Sequence, residues 1–131
     1  MPHYISNLAG LSFCPKESKT VVLNLQPGDQ LDLEREPMNA YDENAIKVYA
    51  LVKGGTTEPA DADEIENNPD SVERHFIGYI EKLANPLIAR DLDAGLTFTC
   101  QVEKTYPDDG TSARQGMWAK PLIAINTFQR A

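Results

Sequence analysis

Between Asn39 and Asn44 the chain sets two amides, a phenol (Tyr41) and two carboxylates (Asp42 and Glu43) within six residues. This set offers hydrogen-bond donors, acceptors and one flat ring, but no nucleophile paired with a base, so it suits recognition better than bond-making. The plainer reading is that Asp42 and Asn44 cap their own turn, as such residues commonly do. Other chemistries fare worse. His3, His75, Cys14 and Cys100 lie too far apart for zinc-like spacing. The acidic run from Asp61 puts Ile65 and Glu66 where a calcium loop needs an oxygen ligand and a glycine. There is no phosphate-cradling glycine loop and no nucleophile elbow. No metal, no cofactor and no catalytic residue is therefore expected, and the chain reads as a binding module rather than an enzyme.

A chain of 131 residues with 41% hydrophobic content can build one ordinary core, so a single domain over residues 1–131 is expected. Two distant cysteines and a start without a basic-then-apolar leader point to a reducing cytoplasm. No stretch approaches the roughly 18 to 20 apolar residues that cross a bilayer, so no membrane partner is expected. The net charge of −8 is unusual for a partner of nucleic acid, but it is concentrated. Residues 54–74 hold seven carboxylates and one base, which account for −6 and leave a nearly neutral body.

The elements that must position the 39–44 turn follow from pattern. Residues 4–13 read as a strand ending at Cys14-Pro15. Residues 20–25 and 30–36 read as the arms of a hairpin about the Pro27-Gly28 turn, with Leu31 and Leu33 alternating with Asp32 and Glu34. Residues 45–52 form a further strand, and the acidic segment at about 54–74 reads as a mobile surface loop with too little apolar material to order it. A strand over 76–80 precedes a helix predicted to be capped by Asn85, to carry Leu87, Ile88 and Leu92 on its apolar stripe and to stop at Gly95. Leu96, Phe98, Cys100 and Val102 alternate with polar residues as in a half-buried strand, and a last strand spans about 118–128. Many short strands with one or two short helices predict a mainly β fold, a partly closed antiparallel barrel.

The run from Arg35-Glu36-Pro37 through Asn39-Ala40-Tyr41-Asp42-Glu43-Asn44-Ala45-Ile46 is followed by Gly78-Tyr79-Ile80 and a helix closing on glycine. Together they resemble the HIRAN domain over roughly Leu8 to Phe128. The resemblance implies an OB-like barrel that recognises the 3′ end of single-stranded DNA, with a role in repair or replication and with a helicase or nuclease as partner protein. It implies that Asp42 accepts a hydrogen bond from the free 3′-hydroxyl, Tyr41 contacts the terminal nucleotide and Asn39 sits beside them. It also implies that Phe13 and Trp118 are stacking aromatics, that Tyr79 joins the set from its strand, and that Lys82 meets phosphate. A carboxylate repels an internal phosphate yet accepts from a hydroxyl, so it can tell an end from a continuing strand.

Each residue also has a plain alternative: Tyr41, Trp118 and Phe13 as packing residues, Lys82 as a solvated surface lysine. Ser12 stands where the family carries an arginine. The competing reading is a protein-interaction domain that keeps the barrel and has lost affinity for DNA. A hydrolase is weaker still, since the chain holds no such module.

Overall fold

A computed structural model of the chain describes residues 3–11, 14–105 and 121–129. Six strands, β1 (His3–Ala9), β2 (Leu31–Arg35), β3 (Ile46–Lys53), β4 (Val72–Ile80), β5 (Thr97–Lys104) and β6 (Leu122–Phe128), form one antiparallel sheet in the order β2-β3-β4-β1-β6-β5. The outermost strands do not stay apart. Gln30 bridges Gln101, Gly28 N–H donates to the Val102 carbonyl (2.8 Å), and Val102 N–H donates to that of Asp29 (2.9 Å). The sheet thus curls into the mainly β, partly closed antiparallel barrel that the pattern predicts, OB-like as the resemblance implies.

Strict alternation builds β3, where Ile46, Val48, Ala50 and Val52 are buried. These pack with Leu8, Leu31, Leu33, Ile77, Ile80, Val102, Ile123 and Ile125 into one core. Between β3 and β4 the register shifts at Val48/Tyr49, and Gly78 lies opposite Val48. Gly78 must be glycine: its φ is +144°, and a Cβ there would collide with the Ala9 carbonyl oxygen. This close approach lets β1 cross onto β4, pairing Leu8 with Ile80 and Ala9 with Tyr79.

Four expectations need correction. The first strand, read over residues 4–13, ends at Ala9, and Gly10 and Leu11 lie outside it. Residues 20–25 are not the arm of a hairpin: α1 spans Ser18–Asn24, and β2 pairs instead with β3. Ser18, Val21, Val22 and Leu25 are the buried positions, a spacing of three, four and seven that only a helix brings to one face. The Pro27-Gly28 turn is present, with Asp29 N–H on the Gln26 carbonyl and Gly28 at φ +94°, but it joins α1 to β2.

The acidic segment is also built rather than loose. Pro59 bridges Val52, Ala60 is buried, and α2 (Ala62–Asn67) is capped by Asp61, whose carboxylate accepts from Glu64 N–H at 2.8 Å. A 3-10 turn (Pro69–Ser71) follows, and β4 starts at Val72, inside the stretch read as loop. Backbone pairing and a cap supply what apolar burial does not, since α2 buries no residue.

In α3 (Asn85–Asp93) the cap position is Ala84, and the Asn85 side chain turns away into the interior. Leu87 is exposed; Ile88, Ala89 and Asp91 are buried. Gly95 ends the helix as expected, at φ +83°, with Leu96 N–H on the Asp91 carbonyl and Gly95 N–H on that of Leu92. Asp91 anchors α3 to the barrel through the hydroxyls of Tyr4 in β1 and Thr127 in β6, each donating at 2.7 Å.

Candidate nucleic-acid interface

The loop from Glu36 to Ala45 joins β2 to β3 and is held by its own polar side chains. Glu36 N–H donates to the Ala45 carbonyl, closing the loop at its base. The Asn39 side-chain Oδ1 accepts from the backbone N–H groups of Tyr41 (2.9 Å) and Asp42 (3.1 Å), while its Nδ2 donates to Glu36 Oε1 at 2.5 Å. Asp42 Oδ1 accepts from Asn44 N–H at 2.9 Å, so the turn-capping reading is correct as far as it goes. Asn39 is thereby committed to shaping the loop.

Asp42 has a second role. Its Oδ2 accepts from the Asn85 amide at 2.8 Å, which ties the loop to the first turn of α3. That bond is the main reason its carboxyl titrates below the ordinary range; Asn44 N–H adds to it, burial opposes it, and the charges of Lys82 and Arg35 favour the anion. The result is a half-buried, fixed and ionised carboxylate. Beside it the Tyr41 ring projects almost wholly into solvent, at 93% exposure. Lys82 is exposed on the β4–α3 connection.

Tyr79 reaches the same network from below. Its hydroxyl donates to Glu36 Oε1 (3.1 Å), and Lys47 pairs with Glu36 Oε2 at 3.0 Å. Burial works against ionisation of Glu36, but bonds from Asn39, Lys47 and Tyr79 outweigh it and keep its pKa lowered. The Tyr79 ring meets Phe76 edge-on with centroids 5.4 Å apart, leaving it half-buried rather than an open platform. The fold therefore links Asn39, Asp42 and Tyr79 directly or through Glu36, and sets Tyr41 and Lys82 around Asp42. Phe13 and Trp118 lie outside the described residues, as does Ser12.

Three further residues shape the site. Arg35 donates to the carbonyls of Ala45 (2.8 Å) and Glu43 (3.0 Å) and pairs through two nitrogens with Asp93 of α3, at 2.9 and 3.1 Å. Glu36 is the hub beneath the loop, and Asn85 the contact behind Asp42. Arg35 and Glu36 stand in the Arg-Glu-Pro run that the sequence singles out, so their signal was present. Asn85 carried the signal of a helix cap, which hid its tertiary bond.

Around these polar groups lie exposed apolar side chains: Met38 at 91%, Leu83 at 95% and Leu87 at 51% exposure. Neither thiol is poised for chemistry. Burial pushes the Cys14 pKa up to about 11 and raises that of Cys100 further. Among the described residues no group of three or more His, Cys, Asp and Glu could hold a metal ion, and no helix is long and apolar enough to cross a membrane.

No curated protein matches the chain. Two solved structures share its fold. A crystal structure of a protein from Lactobacillus plantarum is 18% identical, with a TM-score of 0.55, over 95% of this chain and 99% of that one. The HIRAN domain of human HLTF is 17% identical, also with a TM-score of 0.55, over 98% of this chain and 77% of that one. The family model of the HIRAN domain matches residues 3–115, and with the fold it places this chain in the HIRAN domain family.

Proposed function

We propose that the domain captures the 3′ end of single-stranded DNA through the loop between β2 and β3. HIRAN domains are known generally as DNA-binding modules and not as catalysts, which supports binding as the activity. The observation that carries the finer reading is Asp42 itself: an anion with one lone pair on each oxygen already taken, held rigidly and half-open to solvent next to an exposed ring. A terminal hydroxyl can donate to such a group, whereas a phosphate in its place is repelled. Tyr41 stacks on the last base, worth roughly 1 to 3 kcal/mol and indifferent to sequence. Lys82 answers the neighbouring phosphate. Asn39 and Tyr79 act from beneath, keeping the loop in shape, and Phe13 and Trp118 are proposed to complete the aromatic wall. Repair or replication, in company with a helicase or nuclease, is the setting in which a free 3′ end arises.

The test is a binding comparison of short oligonucleotides ending in a 3′-hydroxyl or a 3′-phosphate. The hydroxyl end is expected to bind more tightly, and Asp42→Ala to erase the difference; equal binding by the unaltered chain would defeat the proposal. The second reading, a protein-interaction domain, draws on the exposed Met38, Leu83 and Leu87 beside the loop together with the charge of −8. A salt titration separates the two, because phosphate contacts strengthen steeply as ionic strength falls. Absence of oligonucleotide binding at low salt would favour the protein partner.

A further inference from the structure

Asn85 is 2% exposed, and only half of its amide is used. The nitrogen donates to Asp42 Oδ2, while the buried Oδ1 has no hydrogen-bond partner among the described residues. An orphaned buried acceptor is costly, and native proteins tolerate few of them without a reason. Its side chain fills buried space, but an apolar side chain of similar size would fill that space without an orphaned acceptor. What no apolar side chain can do is donate to Asp42.

The orientation of the amide is dictated by the same carboxylate. Flipping it would set two acceptors 2.8 Å apart, which repel unless Asp42 is protonated. The amide therefore faces the anion with its donor, and the orphaned Oδ1 follows from that. We infer that Asn85 is a positioning residue for end recognition: by occupying one side of Asp42 Oδ2 it leaves the remaining lone pairs aimed at an incoming terminal hydroxyl. This rests on the reading of Asp42 as the group that meets that hydroxyl. The charged groups acting on Asp42 are Lys82, which follows β4, and Arg35 from β2. Both remain when Asn85 is replaced, so a change seen on replacement belongs to the amide.

The experiment compares the unaltered chain, Asn85→Ala and Asn85→Asp, each checked for an intact thermal transition, against oligonucleotides with 3′-hydroxyl and 3′-phosphate ends from pH 7 down to pH 3.5. Loss of one bond to a charged group is expected to shrink the preference of Asn85→Ala for the hydroxyl end by on the order of tenfold. What preference remains should fade at a higher pH than in the unaltered chain, because Asp42 then protonates more readily. Asn85→Asp keeps the shape but sets a second carboxylate against Asp42, and should lose the preference even at pH 7. The titration of the Asp42 carboxyl, followed by NMR without DNA, should move upward in both variants. If both variants keep the preference and the acid midpoint of the unaltered chain while Asp42→Ala loses the preference, Asn85 is structural only and the inference falls alone. If the unaltered chain shows no preference, the end-binding proposal falls and takes this inference with it.

Discussion

Two polar connections flank β3, and they are ordered by different means. The entering loop, Glu36 to Ala45, turns its polar side chains on one another and on two neighbouring elements: Glu36 gathers Asn39, Lys47 and Tyr79, Arg35 clamps the loop carbonyls, and Asp42 leans on α3. The leaving connection, residues 54–71, is ordered by a strand bridge, a helix cap and backbone turns, and its carboxylates mostly face water. Similar composition thus yields one surface that holds charges at fixed distances and another that spreads them in solvent. Only the first can discriminate between ligands by geometry.

If the entering loop depends on α3 as a wall, the largest effect should come from loosening that wall far from the loop itself. Asp91→Ala removes the acceptor for the buried Thr127 hydroxyl and the partly buried Tyr4 hydroxyl, and should cost about 3 kcal/mol in urea unfolding while also weakening oligonucleotide binding. Its pH dependence has a definite sign. The Asp91 pKa is held below the ordinary value first by the Tyr4 hydroxyl and then by Thr127, against burial. The stability it confers is complete above the unfolded pKa of about 3.9 and disappears as pH falls through the folded value, so Asp91→Asn should flatten the acid decline of the urea midpoint.

Arg35→Ala comes next, at about 2 kcal/mol, since it takes the guanidinium from two loop carbonyls, of which that of Ala45 keeps only Glu36 N–H, and frees Asp93. Binding should fall further than stability if the loop is the site. On the other side of β3, Asp61→Ala should cost about 1 kcal/mol through loss of the α2 cap and leave end preference untouched. A change of end preference there would erase the contrast between the two connections. The smallest effect is expected of Glu66→Gln on exposed α2: an unaltered melting curve and a slight gain in oligonucleotide affinity at low salt that vanishes as salt is added.

How far sequence reaches is itself instructive along these elements. Alternation at Ile46 to Val52 and at Cys100 and Val102 announced strands correctly, because burial on one face leaves a two-residue period that little else produces. Thr20 to Leu25 misled: β-branched residues favour strands, yet the buried set at 18, 21, 22 and 25 obeys a helical period that includes a serine, donating to the Phe76 carbonyl. An apolar-only reading omits that serine. Ordering of the acidic segment was illegible for a related reason, since caps and bridges leave little mark on composition.

At the site, the long motif marked Asn39, Tyr41 and Asp42, and the fold sets the three on one loop, with Asp42 bonded to α3. Sequence could not reveal that Asn39 spends its side chain on the loop, or that Tyr79 is turned edge-on to Phe76. Those are pairwise facts of three dimensions. The tertiary bonds of Arg35 and Asn85 are not legible in the sequence because their partners, Asp93 and Asp42, lie far along the chain.

The place of β1 in the sheet carries a consequence for how the molecule comes into being. It lies between β4 and β6, and its pair His3 with Asn126 joins residues 123 positions apart. A ribosome makes β1 long before its main neighbour β6, so β1 must wait through the synthesis of every element between them with one hydrogen-bonding edge unfilled. Such long-range closure slows folding and leaves a sticky intermediate. Refolding from urea should accordingly be slower than for a helical protein of equal length.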